Sequence, residues 1–135
     1  MKKPAKPLLI IPALWASCFD IVITVIHQSE KYWQGNLSLA NEGNSFGKFF
    51  MNWHQSGIFI LSAFWLFLIV LLGYKLPQPL SRFFLLFVLI AHSFGGGNWL
   101  YQHYGFFSAI IFFIVNAFLW ELFNSRLIAQ QQSKS

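Results

Sequence analysis

The chain has one cysteine, Cys18, so it builds neither an internal disulfide framework nor a multi-cysteine metal site. Charge is almost as scarce. Only 10% of residues are charged and four are acidic, against about 25% charged in soluble domains. No HExxH or comparable ligand spacing occurs, and there is no internal repeat. The one biased stretch is the tail Gln130–Ser135, which reads as disordered. A net charge of +5 does not point to nucleic acid, because the basic residues are scattered at the ends of apolar segments and form no patch. The length of 135 residues allows a single domain, 1–135, and no second.

Apolar surface is what the chain has in excess. Hydrophobic residues make up 56%, with seventeen Phe and six Trp, a composition suited to lipid contact and membrane interfaces. Four stretches, roughly Leu8–Ile26, Gly57–Tyr74, Phe83–Leu100 and Tyr104–Phe123, approach the about 20 residues of a spanning helix. The predicted fold is all-α: a polytopic membrane protein of four transmembrane helices plus a short interfacial helix. Pro12 falls in the first turns, where proline costs a helix least. The segment Lys75-Leu76-Pro77-Gln78-Pro79 reads as a rigid turn, and Gly95-Gly96-Gly97 as the end of the third span.

Placing the N-terminus in the cytoplasm puts Lys2, Lys3, Lys6, Lys75, Arg82, Arg126 and Lys134 inside and leaves Lys31 and Lys48 outside. This positive-inside bias predicts a bacterial cytoplasmic (inner) membrane protein with both termini cytoplasmic. The basic leader and following apolar run also resemble a signal peptide, and Trp15-Ala16-Ser17-Cys18 approaches a lipoprotein box. The run continues to Ile26, however, which favours a retained first helix. In the outer loop, Asn44 or Ser45 is placed to cap a helix whose Phe46, Phe49, Phe50 and Trp53 share one face, with Lys48 and Asn52 towards water.

Polar residues concentrate towards the outer side. Ala13, Ser17, Asp20, Thr24 and His27 recur at steps of three and four, making a small and polar stripe on the first helix. Asp20 lies roughly 18 Å beyond Leu8 at about 1.5 Å per residue, and no Lys or Arg shares its depth. His54 precedes the second span, His92 lies past the middle of the third, and His103 opens the fourth. Ala91, Gly95, Asn98 and Gln102 form a second small and polar stripe. Asn116 is deeper, and Glu121, with Asn124 and Arg126 nearby, reads as an inner interfacial anchor. The candidate metal ligands are Asp20, His27, His54, His92 and His103, suited to zinc or a similar divalent ion. The candidate catalytic residues are Asp20, Glu42 and His92, and Thr24, Asn44 and Asn98 are structural polar candidates.

Asp20-Ile21-Val22-Ile23-Thr24 and Glu42-Gly43-Asn44-Ser45 resemble the Asp-x-x-x-Thr and Glu-x-Asn-Pro pattern of a family of small, uncharacterised bacterial and archaeal four-span membrane proteins. Ser45 stands where that pattern has proline. The resemblance implies that Asp20, Thr24, Glu42 and Asn44 form one site, and it supplies no reaction. Three functions follow as expectations. One is an intramembrane hydrolase acting on a lipid or peptide at the outer leaflet. Another is a non-enzymatic subunit or assembly factor whose polar groups fix helix packing. The third is a proton or ion carrier, for which the inner half lacks matching ionisable groups.

Overall fold

The computed structural model describes residues 6–133. Lys2, Lys3 and Pro4 of the basic leader, and Lys134 and Ser135 of the tail, lie outside the described residues. A 3-10 turn, Lys6–Leu9, leads into α1 (Ile10–Ile26). The segment that follows carries α2 (Glu30–Trp33), a second 3-10 turn at Leu37–Leu39, and α3 (Ser45–Trp53). Three long helices follow: α4 (Gly57–Lys75), α5 (Gln78–Tyr104) and α6 (Phe106–Gln132). The fold is all-α, as expected. α4, α5 and α6 are long and apolar enough to cross a membrane, whereas α1 is a shorter apolar helix of 17 residues.

α1 packs chiefly on α5, because its inward face is made of small residues. Ala13, Ala16 and Ser17 are fully buried, which lets the two backbones approach closely. Around them Leu9, Ile10, Ile69, Leu85, Val88 and Leu127 form the main core. At the α4–α5 turn, the Ser81 hydroxyl donates to the Gly73 carbonyl at 2.7 Å. A smaller cluster of Tyr32, Ala40, Met51 and Ile58 seats the segment between α1 and α4 on the bundle. The flanks away from the core are aromatic and aliphatic throughout, with Phe64, Phe67, Phe87, Phe94, Phe107 and Phe118 all exposed. A continuous apolar surface of this kind is matched to hydrocarbon rather than water.

The helix ends depart from the sequence reading. α5 starts at Gln78 and carries Pro79 within its first turn, where the missing N–H has no intrahelical partner to lose. The glycine run does not end α5, which continues to Tyr104. Those glycines lie against neighbouring groups: Gly96 against Phe19 and Phe112, and Gly97 against Phe113. Close packing therefore overrides their weak helix propensity. The reversal into α6 is the single residue Gly105, at φ 87°, so His103 belongs to the last turn of α5. α6 runs through Asn124 to Gln132, so the expected disordered tail is helical up to that residue.

α3 also has its faces as the spacing indicated. Gly47 and Met51 are buried, while Phe46, Phe49 and Trp53 are at least two-thirds exposed. Gly57 fixes the joint between α3 and α4, since a Cβ there would land on the Phe50 carbonyl. We expect Gly57→Ala to lower the stability of detergent-solubilised protein by about 1–3 kcal/mol, the usual range for overpacking. Thermal unfolding followed by circular dichroism measures it, and an unchanged midpoint would show that the joint can shift.

Candidate functional site

Three helices meet at Asp20. The stripe on α1 faces inward as expected, with Ala13 and Ser17 fully buried and Thr24 at 4% exposure. Ser17 returns its hydroxyl to the Ala13 carbonyl at 2.8 Å, a local bond that satisfies it without a partner helix. His92 enters from α5 and Trp65 from α4. The Trp65 indole N–H donates to His92 Nε2 at 2.7 Å. An indole nitrogen only donates, so Nε2 is unprotonated and the imidazole carries its proton on Nδ1. That Nδ1–H donates to Asp20 Oδ2 at 2.8 Å. The His92 and Asp20 side chains are 17% and 19% exposed. Gly95, one turn beyond His92, is where the carboxylate rests. A Cβ there would sit 2.6 Å from Oδ2 and 2.7 Å from Oδ1, so glycine is what admits Asp20.

Glu42 lies between α1 and α3, with its side chain against Gly47 of α3. Its Oε1 accepts the Asn44 N–H at 2.7 Å, and Asn44 Oδ1 in turn accepts the Phe46 N–H at 2.9 Å, capping α3. Burial raises the Glu42 carboxyl above its ordinary range; the Asn44 and Gly43 N–H groups oppose this, and the charge of Asp20 adds to the rise. Gln28 holds the loop in place. Its Nε2 donates to the carbonyls of Thr24 at 2.9 Å and Asn41 at 2.7 Å, and its Oε1 accepts the Asn41 N–H at 2.8 Å. The end of α1 is thereby tied to the residue just before Glu42.

Two further networks are separate from this one. Trp15 donates its indole N–H to Asn116 Oδ1 at 3.0 Å, Asn116 Nδ2 donates to Ser93 Oγ at 2.8 Å, and Ser93 donates to the Leu89 carbonyl at 2.6 Å. This chain links α1, α6 and α5. Where the C-terminal ends of α1 and α5 meet, the rings of His27 and His103 lie tilted at 50° with centroids 4.0 Å apart, and Trp99 stacks on both. Each of these histidines directs Nδ1 to the carbonyl one turn back in its own helix, Ile23 and Trp99 respectively.

The expected five-residue metal site is therefore not assembled. Asp20 and His92 form one pair, His27 and His103 another, and exposed His54 accepts the Ser56 N–H through Nδ1 at 3.0 Å. Among the described residues no three His, Cys, Asp or Glu side chains gather to hold a metal ion. His92 in particular has both nitrogens engaged, which leaves no lone pair for a cation. The stripe Ala91, Gly95, Asn98 and Gln102 is not the contact face of α5. Ala91, Asn98 and Gln102 are exposed, and the packing face is Leu85, Val88, Leu89, Gly96 and Gly97. Near Glu121, Arg126 lies 5.7 Å from the centroid of the Phe123 ring, and Glu121 accepts from the Ser125 hydroxyl at 2.8 Å.

Sequence reading missed Trp65 and Gln28. The signal for Trp65 was an indole N–H deep in an apolar span, which requires an acceptor. For Gln28 it was the step of four from Thr24. No family model matches the chain, and no curated protein or solved structure matches it.

Replacing Trp65 with Phe leaves His92 Nε2 without its donor. We expect a loss of about 1–2 kcal/mol, towards the low end of the penalty for an unsatisfied polar group because the site is partly accessible. Chemical denaturation in detergent reads this, and an unchanged midpoint would mean that water replaces the indole fully. Glu42 generates a pH dependence. Its folded-state value is raised, so its contribution to stability is present below the ordinary carboxyl range and fades as pH rises through the raised value. Glu42→Gln keeps an acceptor for Asn44 and should flatten that decline. A wild-type slope that persists in the variant would assign the dependence to another group.

Proposed function

We propose that this chain is a multi-pass protein of the bacterial cytoplasmic membrane, crossing it four times with both termini in the cytoplasm. It acts there without catalysis, as a membrane subunit or assembly factor whose polar groups fix helix packing. α1 is the fourth span: its 17 residues extend about 25 Å, and the preceding 3-10 turn lengthens it towards the about 30 Å hydrocarbon core. α3 then lies flat in the outer interface, with Phe46, Phe49 and Trp53 in the lipid boundary and Lys48 towards the headgroups. The carrying observation is that Asp20, His92 and Trp65 are one another's hydrogen-bond partners across three helices. A general base keeps a lone pair facing its substrate, whereas here that lone pair is held by an indole. The outward site also suits the small four-span family that the Asp20–Thr24 and Glu42–Asn44 motifs resemble.

One observation favours the hydrolase reading. Glu42 and Asp20 are close enough to feel each other's charge, and paired carboxylates with divergent environments are a common acid–base arrangement. In that case Asp20, oriented by His92, takes a proton from water attacking the ester or amide carbonyl of a lipid or peptide at the outer leaflet, and Glu42 gives its proton to the alcohol or amine that departs as the acyl bond breaks.

A double-mutant cycle separates the two. Asp20→Asn and His92→Gln, singly and together, should show a coupling of about 0.5–3 kcal/mol in unfolding. Purified protein should carry no stoichiometric zinc by elemental analysis. Additive losses, or a metal that disappears with Asp20→Asn, would sink the packing role and favour chemistry.

A further inference from the structure

On the face of α5 away from His92 and Gly95, α5 and α6 border an open groove of about 490 Å³. Its walls are Leu86, Ile90, Phe94, Phe113 and Trp120, and Glu121 stands at one end. Glu121 is exposed, its bond from Ser125 is local, and no cation pairs with it among the described residues. It lies fifteen residues, or about 22 Å, beyond the start of α6. On the four-span reading, which this inference requires, that places it inside the inner half of a hydrocarbon core about 30 Å thick. A carboxylate at such depth calls for a partner.

We infer that this groove is a binding site for a phospholipid of the inner leaflet with an ammonium headgroup. The headgroup meets Glu121 and an acyl chain lies along the walls. Charge selects the class, since the group offered is an unpaired anion. Length selects a lipid over a partner helix. Phe113 to Glu121 is eight residues, about 12 Å, which is the depth of one leaflet rather than of the whole membrane. Asn116 and Ser93 also line the wall, but their hydrogen bonds are taken up within the protein, so the mid-groove offers an acyl chain mainly apolar contact.

Trp120 reports on the groove directly. The full chain is reconstituted in phosphatidylglycerol vesicles doped with brominated-chain phosphatidylethanolamine or brominated-chain phosphatidylglycerol. The Trp120 signal is taken as the difference from Trp120→Phe. Phosphatidylethanolamine should quench it about threefold more at equal content, the scale of one partly exposed charge pair. Glu121→Gln should bring the ratio to one and Glu121→Asp should retain the preference. Equal quenching in the wild type, or a preference that survives Glu121→Gln, overturns the inference and leaves the membrane reading standing. Emission that tracks the protein-to-lipid ratio places a second copy in the groove and also overturns it. No quenching by either lipid at any ratio removes the spanning reading itself.

Discussion

A polar group in an apolar bundle has to find its partner within the protein, and Asp20 is the most demanding such group in this chain. Its carboxylate is held by a histidine, and the histidine is held by a tryptophan. That order fixes more than two bonds. Because an indole only donates, the direction of every proton in the chain follows from Trp65, and α1, α4 and α5 are locked at one relative height. Gly95 is part of the same constraint, since a side chain there would occupy the carboxylate's place.

The other polar groups follow the same logic at other levels. Trp15, Asn116 and Ser93 tie α6 to α1 and α5 deeper in the bundle. Gln28 closes the segment before Glu42 onto the end of α1. Helices whose apolar faces are nearly uniform have little to set their register, and hydrogen bonds between them supply it. Asn124 Oδ1 is the exception: it is buried and has no partner among the described residues, and nothing in the structure accounts for it.

The long apolar helices and the inward stripe of α1 were legible because hydrocarbon demands length and helices impose a period of three to four. The ends were harder. Propensities learned in water break a helix at Gly95–Gly97 and at Pro79, yet α5 passes through the first and begins before the second. Neighbouring rings outweigh the intrinsic preference at the glycines, whereas Pro79 sits in the first turn, where its missing N–H costs nothing. The gathering of His27, His54, His92 and His103 with Asp20 was overestimated for a related reason. Similar depth along separate helices does not fix which way each side chain turns, and here the rotations sort them into two pairs and one exposed ring. Trp65 carries no motif that marks it in the sequence, although its N–H sets which nitrogen of His92 bears the proton.

The tautomer of His92 tests this account most directly. Nitrogen-15 NMR of histidine-labelled protein in bilayers, assigned through His92→Gln, distinguishes the neutral Nδ1–H form from the neutral Nε2–H form and from imidazolium. The expected result at neutral pH is the Nδ1–H form, with the Nε2 resonance moving when Trp65 is replaced by Phe. A proton on Nε2, in either the neutral or the charged ring, would contradict the arrangement on which the packing of this bundle is built.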